Sequence, residues 1–180
     1  MSDPNGVGPD LHEKPTVTST GESVLKSIDG VIVRTPVTHV DHRGALFEIF
    51  NGDPELWPDP VVYAYQTSIF PGVVKGWFRH EVKTDRYTIV DGEITVLLYD
   101  GREDSPTHGL SQRISLSPRS ARQVVIPVGI WHLLFNPGPE EAQLINMPTA
   151  KYRHDRPDRL ILPWDSPEIP VDVRGYLPQF

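Results

Sequence analysis

The sequence predicts an all-β fold, a sandwich or small barrel. No stretch before residue 150 sustains a 3.6-residue apolar period, so long helices are not expected. Nineteen Pro and fourteen Gly are spread through the 180 residues rather than clustered, which suits many short strands joined by turns. Short β-rich runs recur at roughly 8–12-residue spacing, the rhythm of a sandwich or barrel.

The elements follow in order. Residues 1–22 are polar and rich in Gly, Pro, Ser and Thr, and read as a tail or an arm exchanged with a partner subunit; residues 23–180 form one domain. Residues 31–40 are β-rich but broken by Pro36, as suits an edge strand. Asp41 to Gly44 is a turn, and residues 45–50 resume a strand. A Pro-containing loop leads to a strand over residues 61–70, closed by Pro71-Gly72. Residues 87–90 and 93–99 flank Asp91-Gly92, a hairpin signal because a type I′ turn needs positive φ. Residues 112–116 and 123–126 are short strands, and residues 133–136 and 142–147 are expected to pair around Pro137-Gly138-Pro139. From Tyr152 the chain is rich in Pro and Asp and is expected to wrap the barrel, with one helical turn.

The bulk numbers exclude several functions. Without Cys there is no disulfide, thiolate nucleophile or Cys-ligated zinc. A formal charge of −7 with no basic cluster argues against nucleic-acid binding. No apolar run approaches the ~20 residues of a membrane span. The first residues lack the basic and apolar regions of a signal peptide, so a cytoplasmic protein is expected.

Two segments carry the chemistry: Gly72-Val-Val-Lys75-Gly-Trp-Phe78-Arg-His80, continuing to Asp85 and Gly92, and Pro127-Val-Gly129-Ile-Trp-His132-Leu-Leu-Phe-Asn136. Residues i and i+2 on a strand share a face, so Phe78 and His80 point the same way. In a small closed barrel, inward residues of facing strands approach one another. His80, Asp85 and His132 are expected to converge, with Lys75, Arg86, Gln66 and Tyr87 around them. Two His and a carboxylate serve as an acid/base set or as ligands for a divalent transition metal; the plain alternative is two core histidines held by carbonyls. Asp85 orients His80, ligates a metal, or pairs with Arg86 or Lys83. Phe78, Trp77 and Trp131 stack on a sugar or base ring, or pack the core. His12, His39, His108 and His154 read as surface residues.

These segments resemble the cupin signatures. Gly72, His80 and Gly92 match the first in register, with Phe78 in place of its first His and Asp85 in place of Glu; Pro127, Gly129, His132 and Asn136 meet the second in full. Within cupins, the chain is similar to the dTDP-4-dehydrorhamnose 3,5-epimerases through Asp41-His-Arg43-Gly44-Ala-Leu-Phe47-Glu48, Lys75-Gly76, Tyr99-Asp-Gly-Arg102 with Ser105-Pro-Thr, and Ile126 to His132. The resemblance spans roughly residues 30–170 and implies a β-jelly-roll barrel and a homodimer. It also implies that the family's base aligns with Phe78, its catalytic Lys with Asp85, its catalytic Tyr near Asn146, and the Arg before the base with Lys75. His132 alone is kept. Phe cannot abstract a proton, so 3,5-epimerisation through that position is excluded.

What the resemblance leaves is a nucleotide-sugar site. His80 is expected to move a proton α to a carbonyl, with His132, Lys75 and Asp85 completing the catalytic set. Arg43 and Glu48 match family positions that contact the nucleotide, and Gln66, Phe78, Arg86, Trp131 and Asn136 are the other expected substrate contacts. No cofactor is favoured. The alternatives are a metal-dependent cupin using His80, Asp85 and His132, a tailoring or cyclising cupin accepting a hydrophobic substrate, and a cupin that binds a ligand without turnover.

Overall fold

The computed structural model describes residues 15–54, 57–119 and 122–176. Twelve strands are assigned among them: β1 Ile32–Arg34, β2 Thr38–Asp41, β3 Gly44–Phe47, β4 Tyr65–Ile69, β5 Val74–Arg79, β6 Asp85–Asp91, β7 Ile94–Asp100, β8 Ser111–Leu116, β9 Gln123–Ile126, β10 Ile130–Phe135, β11 Ala142–Asn146 and β12 Leu160–Ile161. They form two five-stranded antiparallel sheets, ordered β1-β9-β6-β11-β4 and β12-β5-β10-β7-β8, and a separate β2-β3 hairpin. The all-β jelly roll expected from the sequence is the observed fold. Of the expected tail, residues 1–14 lie outside the described residues; residues 15–22 are exposed, and Val17 bridges to Ser23.

The sheets face each other across a core that includes Ile89, Val96, Leu98, Ile114, Val124, Ile130, Leu134 and Leu144. The second sheet also buries its outer face. There Trp77, Leu97, Leu133 and Phe135 pack with Ile169 and Val173 from the C-terminal wrap. Trp77 holds that wrap in place: its N–H donates to Leu162 O at 2.9 Å and its indole Nε1 to Trp164 O at 3.1 Å. A strand covered on both faces reads as a continuous apolar run, which is why Ile94 to Leu98 shows no alternation. The expected helical turn is a short 3₁₀ turn, Arg174–Tyr176.

Two pairing expectations are corrected. Asp91-Gly92 does make a turn with Gly92 at φ +68°, but β6 pairs with β9 and β11 whereas β7 pairs with β8 and β10. The turn passes the chain from one sheet to the other instead of closing a hairpin. Likewise β10 and β11 lie in different sheets, so residues 133–136 and 142–147 are not partners. In both cases each strand buries apolar side chains between the layers, and crossing to the facing sheet lets both do so. Turn chemistry reports a reversal of direction, not which layer receives the next strand. Pro36 does separate two strands, but the second, β2, leaves the sandwich and pairs with β3 alone.

Candidate active site

One cavity of about 640 Å³ opens between the sheets. Its polar floor comes from both. β10 alternates strictly: Ile130, His132 and Leu134 face inward, while Trp131, Leu133 and Phe135 face the outer packing layer. β5 does not alternate. Lys75 pairs with Leu134 and Phe78 with His132, so three steps on β5 oppose two on β10. This irregularity turns both Lys75 and Phe78 into the cavity. It falls at Gly76, where φ is +127° and a Cβ would lie 2.8 Å from His132 O. No other residue fits that backbone without a clash.

His80, Asp85 and His132 meet at the floor. Asp85 begins β6 on the first sheet and reaches across the core, its Oδ2 lying 3.1 Å from His80 Nε2 and 3.5 Å from His132 Nε2. The two imidazoles are 5.3 Å apart, centroid to centroid. Asp85 and His132 are each 1% exposed and His80 is 5% exposed, so His80 lies nearest the open space. His80 Nδ1 hydrogen-bonds the carbonyl of Asp158, and His132 Nδ1 that of Ile130 at 3.2 Å. A carbonyl only accepts, so both rings carry a proton on Nδ1 and turn Nε2 toward Asp85. Nε2 of His132 has an ion-pair contact there but no hydrogen-bond partner, because 3.5 Å is long for one.

Asp85 also receives Tyr87 OH at 2.9 Å on Oδ2, and Asn146 Nδ2 at 2.9 Å and Lys83 Nζ at 3.3 Å on Oδ1. Burial raises its pKa, but the imidazoles of His132 and His80 beside it outweigh that and hold it well below the usual carboxylate range. Tyr87 is held protonated by burial and by the Asp85 charge, which push its phenol well above its ordinary value.

The remaining expected residues divide. Lys75 lines the cavity and donates to Ser68 O at 2.5 Å and Thr67 Oγ1 at 3.2 Å. Phe78 lines it too, edge-on to His132 at 6.0 Å. Arg86 points away: its guanidinium donates to the carbonyls of Met147, Asp59 and Pro60 and lies over Trp57. Trp131 lies in the outer layer beneath Arg79. Asn136 ties the turn after β10, donating to Ile69 O and Glu140 O and accepting Gly138 N–H. Gln66 is exposed and bonds Gln143. Arg43, at the β2-β3 turn, pairs with Asp41 at 2.5 Å, and Glu48 lines a second hollow beside Phe50, Trp57 and Gln123.

The cavity wall also holds Lys83, expected only as a partner of Asp85, and five residues that spacing did not single out: Tyr63, Tyr65, Tyr152, Asp158 and Arg159. His154, expected on the surface, is exposed but lines the cavity as well. Asp158 anchors this wall. Its carboxylate accepts the N–H groups of Glu81, Val82 and Lys83 at 2.9–3.1 Å, and β12 just beyond it pairs with Phe78 and Arg79. Only Lys83, two residues before Asp85, had a local signal; the others arrive with the C-terminal segment, from β4 or from just before it.

Two facing antiparallel sheets around a buried His–Asp–His floor place the molecule among the cupins. Comparison narrows this. The profile of the dTDP-4-dehydrorhamnose 3,5-epimerase family matches residues 26–179. A probable low-salt glycan biosynthesis epimerase, Agl13, of Haloferax volcanii is 36% identical over 142 residues, covering 78% of this chain and 91% of that protein. The spore coat polysaccharide biosynthesis protein SpsL of Bacillus subtilis is 32% identical over 142 residues, covering 79% and 93%. The crystal structure of a dTDP sugar isomerase from Desulfovibrio desulfuricans superposes with a TM-score of 0.76 at 27% identity, covering 82% of this chain and 93% of that one. The chain belongs to the dTDP-4-dehydrorhamnose 3,5-epimerase family and is a nucleotide-sugar epimerase-like cupin. Among the described residues, no helix is long and apolar enough to cross a membrane.

Proposed function

We propose that the protein is an epimerase or isomerase that moves a proton α to the ketone of a nucleotide-linked 4-keto-6-deoxy sugar, with His80 as the proton acceptor. The observation that carries this reading is the His80–Asp85–His132 cluster at the floor of the cavity. His80 is its outermost member, and its Nδ1 is fixed as a donor, so Nε2 is the atom that gains and loses a proton. Asp85, ionised beside it, stabilises the imidazolium that forms. His132 shares the same oxygen and disperses that charge further. Lys75 and Lys83 line the cavity and supply positive charge for the enolate oxygen. Arg159, stacked over Phe78 at 5.1 Å, stands where a diphosphate enters. Phe78 cannot act as a base and contributes an apolar wall.

The test is solvent exchange. Incubated in D₂O with dTDP-4-keto-6-deoxyglucose, the protein is expected to incorporate deuterium next to the ketone, read by ¹H NMR. His80→Asn is expected to slow incorporation by about 10²–10⁴-fold. No incorporation by the wild-type protein would sink the reading.

A metal centre is the second reading, and one observation favours it. Both Nδ1 atoms are pinned by carbonyls while both Nε2 atoms converge on one carboxylate, the arrangement of metal-ligating histidines. Two features oppose it: the Lys83 ammonium already sits against Asp85, and Phe78 stands beside His132 where a fourth ligand would. We therefore favour cofactor-free proton transfer, and one stoichiometric transition metal per purified chain would reverse that preference.

A further inference from the structure

We propose that the hollow beneath residues 150–157 is an anion-capture site at the mouth of the cavity, where Lys151 and Arg156 collect the diphosphate of the substrate before it enters. The inference rests on the nucleotide-sugar reading above and assigns residues that lie outside the cavity.

Charge accounting carries the argument. The chain has a formal charge of −7, yet residues 151–159 read Lys-Tyr-Arg-His-Asp-Arg-Pro-Asp-Arg. Alternating signs hide a basic patch in the sequence, and the fold separates them. Asp155 is paired with Arg153 at 2.8 Å. Asp158 turns its carboxylate onto the backbone N–H groups of Glu81, Val82 and Lys83. Glu81 is occupied by Arg79 at 3.4 Å. Lys151, Arg156 and Arg159 are exposed, and none of them has a carboxylate partner among the described residues.

Shape places these cations. The segment is pinned to residues 81–84 at its two ends. Thr149 exchanges hydrogen bonds with Thr84 at one end, and Asp158 holds the turn at the other. Between the pins lies a hollow of about 480 Å³, lined by Lys83, Lys151, Arg153, Arg156 and Arg159 against Glu81 and Asp158. Its net charge is opposite in sign to that of the chain. It shares Lys83, Tyr152, Asp158 and Arg159 with the cavity, so the two spaces adjoin, whereas Lys151 and Arg156 line the hollow alone. Tyr152 and Arg159 are exposed while Asp85 and His132 are buried, which puts the shared wall at the open end.

A cleft lined by one sign of charge concentrates counter-ions and raises on-rates by about 10–10³-fold. In an acidic protein it also offsets the repulsion that a nucleotide diphosphate meets on approach. Arg159 borders both spaces and lies over Phe78, so it passes the diphosphate inward.

Lys151→Gln with Arg156→Gln removes two exposed charges that pair with nothing in the fold, so thermal unfolding is expected to match wild type. Initial rates of deuterium incorporation into dTDP-4-keto-6-deoxyglucose give kcat and KM at low and high salt. For this double variant kcat/KM is expected to fall about tenfold at ~20 mM salt, through KM, and less than about twofold at ~0.5 M. Lys26→Gln with Arg119→Gln removes the same charge beside β8, at the sheet edge opposite β12, and is expected to change neither. The affinity for dTDP alone, read by calorimetry, is expected to follow the same pattern without turnover. Unchanged KM and dTDP affinity in the Lys151/Arg156 variant, or an equal loss in the control, would overturn the capture site and leave the proton-transfer reading standing. Wild-type protein that binds dTDP in this charge-dependent way but exchanges no deuterium would overturn the proton-transfer reading and leave the capture site in place.

Discussion

Asp85 Oδ2 lies 3.1 Å from His80 Nε2, a contact that joins the first residue of β6 in one sheet to the residue that follows β5 in the other. It ties the fold and the chemistry to the same atoms. With both residues at most 5% exposed, the pair is screened little by solvent.

Removing that charge is expected to be costly. Asp85→Asn keeps the shape but leaves Lys83, His80 and His132 facing a neutral amide in a buried site. Losing one partner of a buried ion pair costs about 3–5 kcal/mol, so denaturant unfolding is expected to show a loss of that order. A loss below about 1 kcal/mol would mean that the cluster is not held by charge.

The acid limb of stability follows from depressed carboxyls. Burial raises the pKa of both Asp85 and Asp158. In Asp85 the two adjacent imidazoles prevail, and in Asp158 the backbone N–H groups of Glu81, Lys83 and Val82 do, so both carboxyls sit below their ordinary values. A depressed native pKa contributes stability that is present above the unfolded value of about 3.9 and is lost as pH falls through the native value. Wild-type stability is therefore expected to decline below about pH 4. Asp158→Asn is expected to flatten that decline in unfolding curves taken at successive pH values; an unchanged slope would remove Asp158 from the account.

Phe78 sets the cavity's relation to metals. Its ring sits 6.0 Å from that of His132. Phe78→His would bring a third imidazole to His80, Asp85 and His132, so the variant is expected to bind about one zinc per chain by elemental analysis. Wild-type exchange activity is expected to survive chelation, and its loss would favour the metal reading.

Arg86 tests the boundary of the site. Its guanidinium donates to three carbonyls outside the cavity. Arg86→Ala is expected to lower stability by about 2–3 kcal/mol through unsatisfied groups. The substrate KM of whatever remains folded is expected to be unchanged, and a KM effect alone, without destabilisation, would return Arg86 to the substrate contacts.

The β2-β3 hairpin supports a dimer. Val37, Val40 and Leu46 are 63–75% exposed at or beside β2 and β3, which pair with no other strand among the described residues, and Arg43 and Glu48 stand with them away from the cavity. We propose that a second copy covers this face. Light scattering is expected to give twice the chain mass of 20.3 kDa, and charged substitutions at Val40 and Leu46 are expected to give monomers.

The sequence by itself determined the all-β character, most strand positions, and the three residues of the floor, because these are matters of period, turn chemistry and spacing. His132 and Trp131 show where that stopped: both were expected at the site, but as neighbours on one strand they face opposite ways, and Trp131 packs in the outer layer. Tertiary structure decided the rest. Which sheet receives a strand after Gly92 depends on burial in two layers, which no local turn encodes. Lys75 shares the cavity with Phe78 only because an irregularity at Gly76 shifts the β5 register against β10. Tyr65 meets Asn146 across 81 residues of sequence, and Asp158 meets His80 across 78. Contacts of that separation are set by how the sheets close, so the groups that complete the site became visible only in the folded chain.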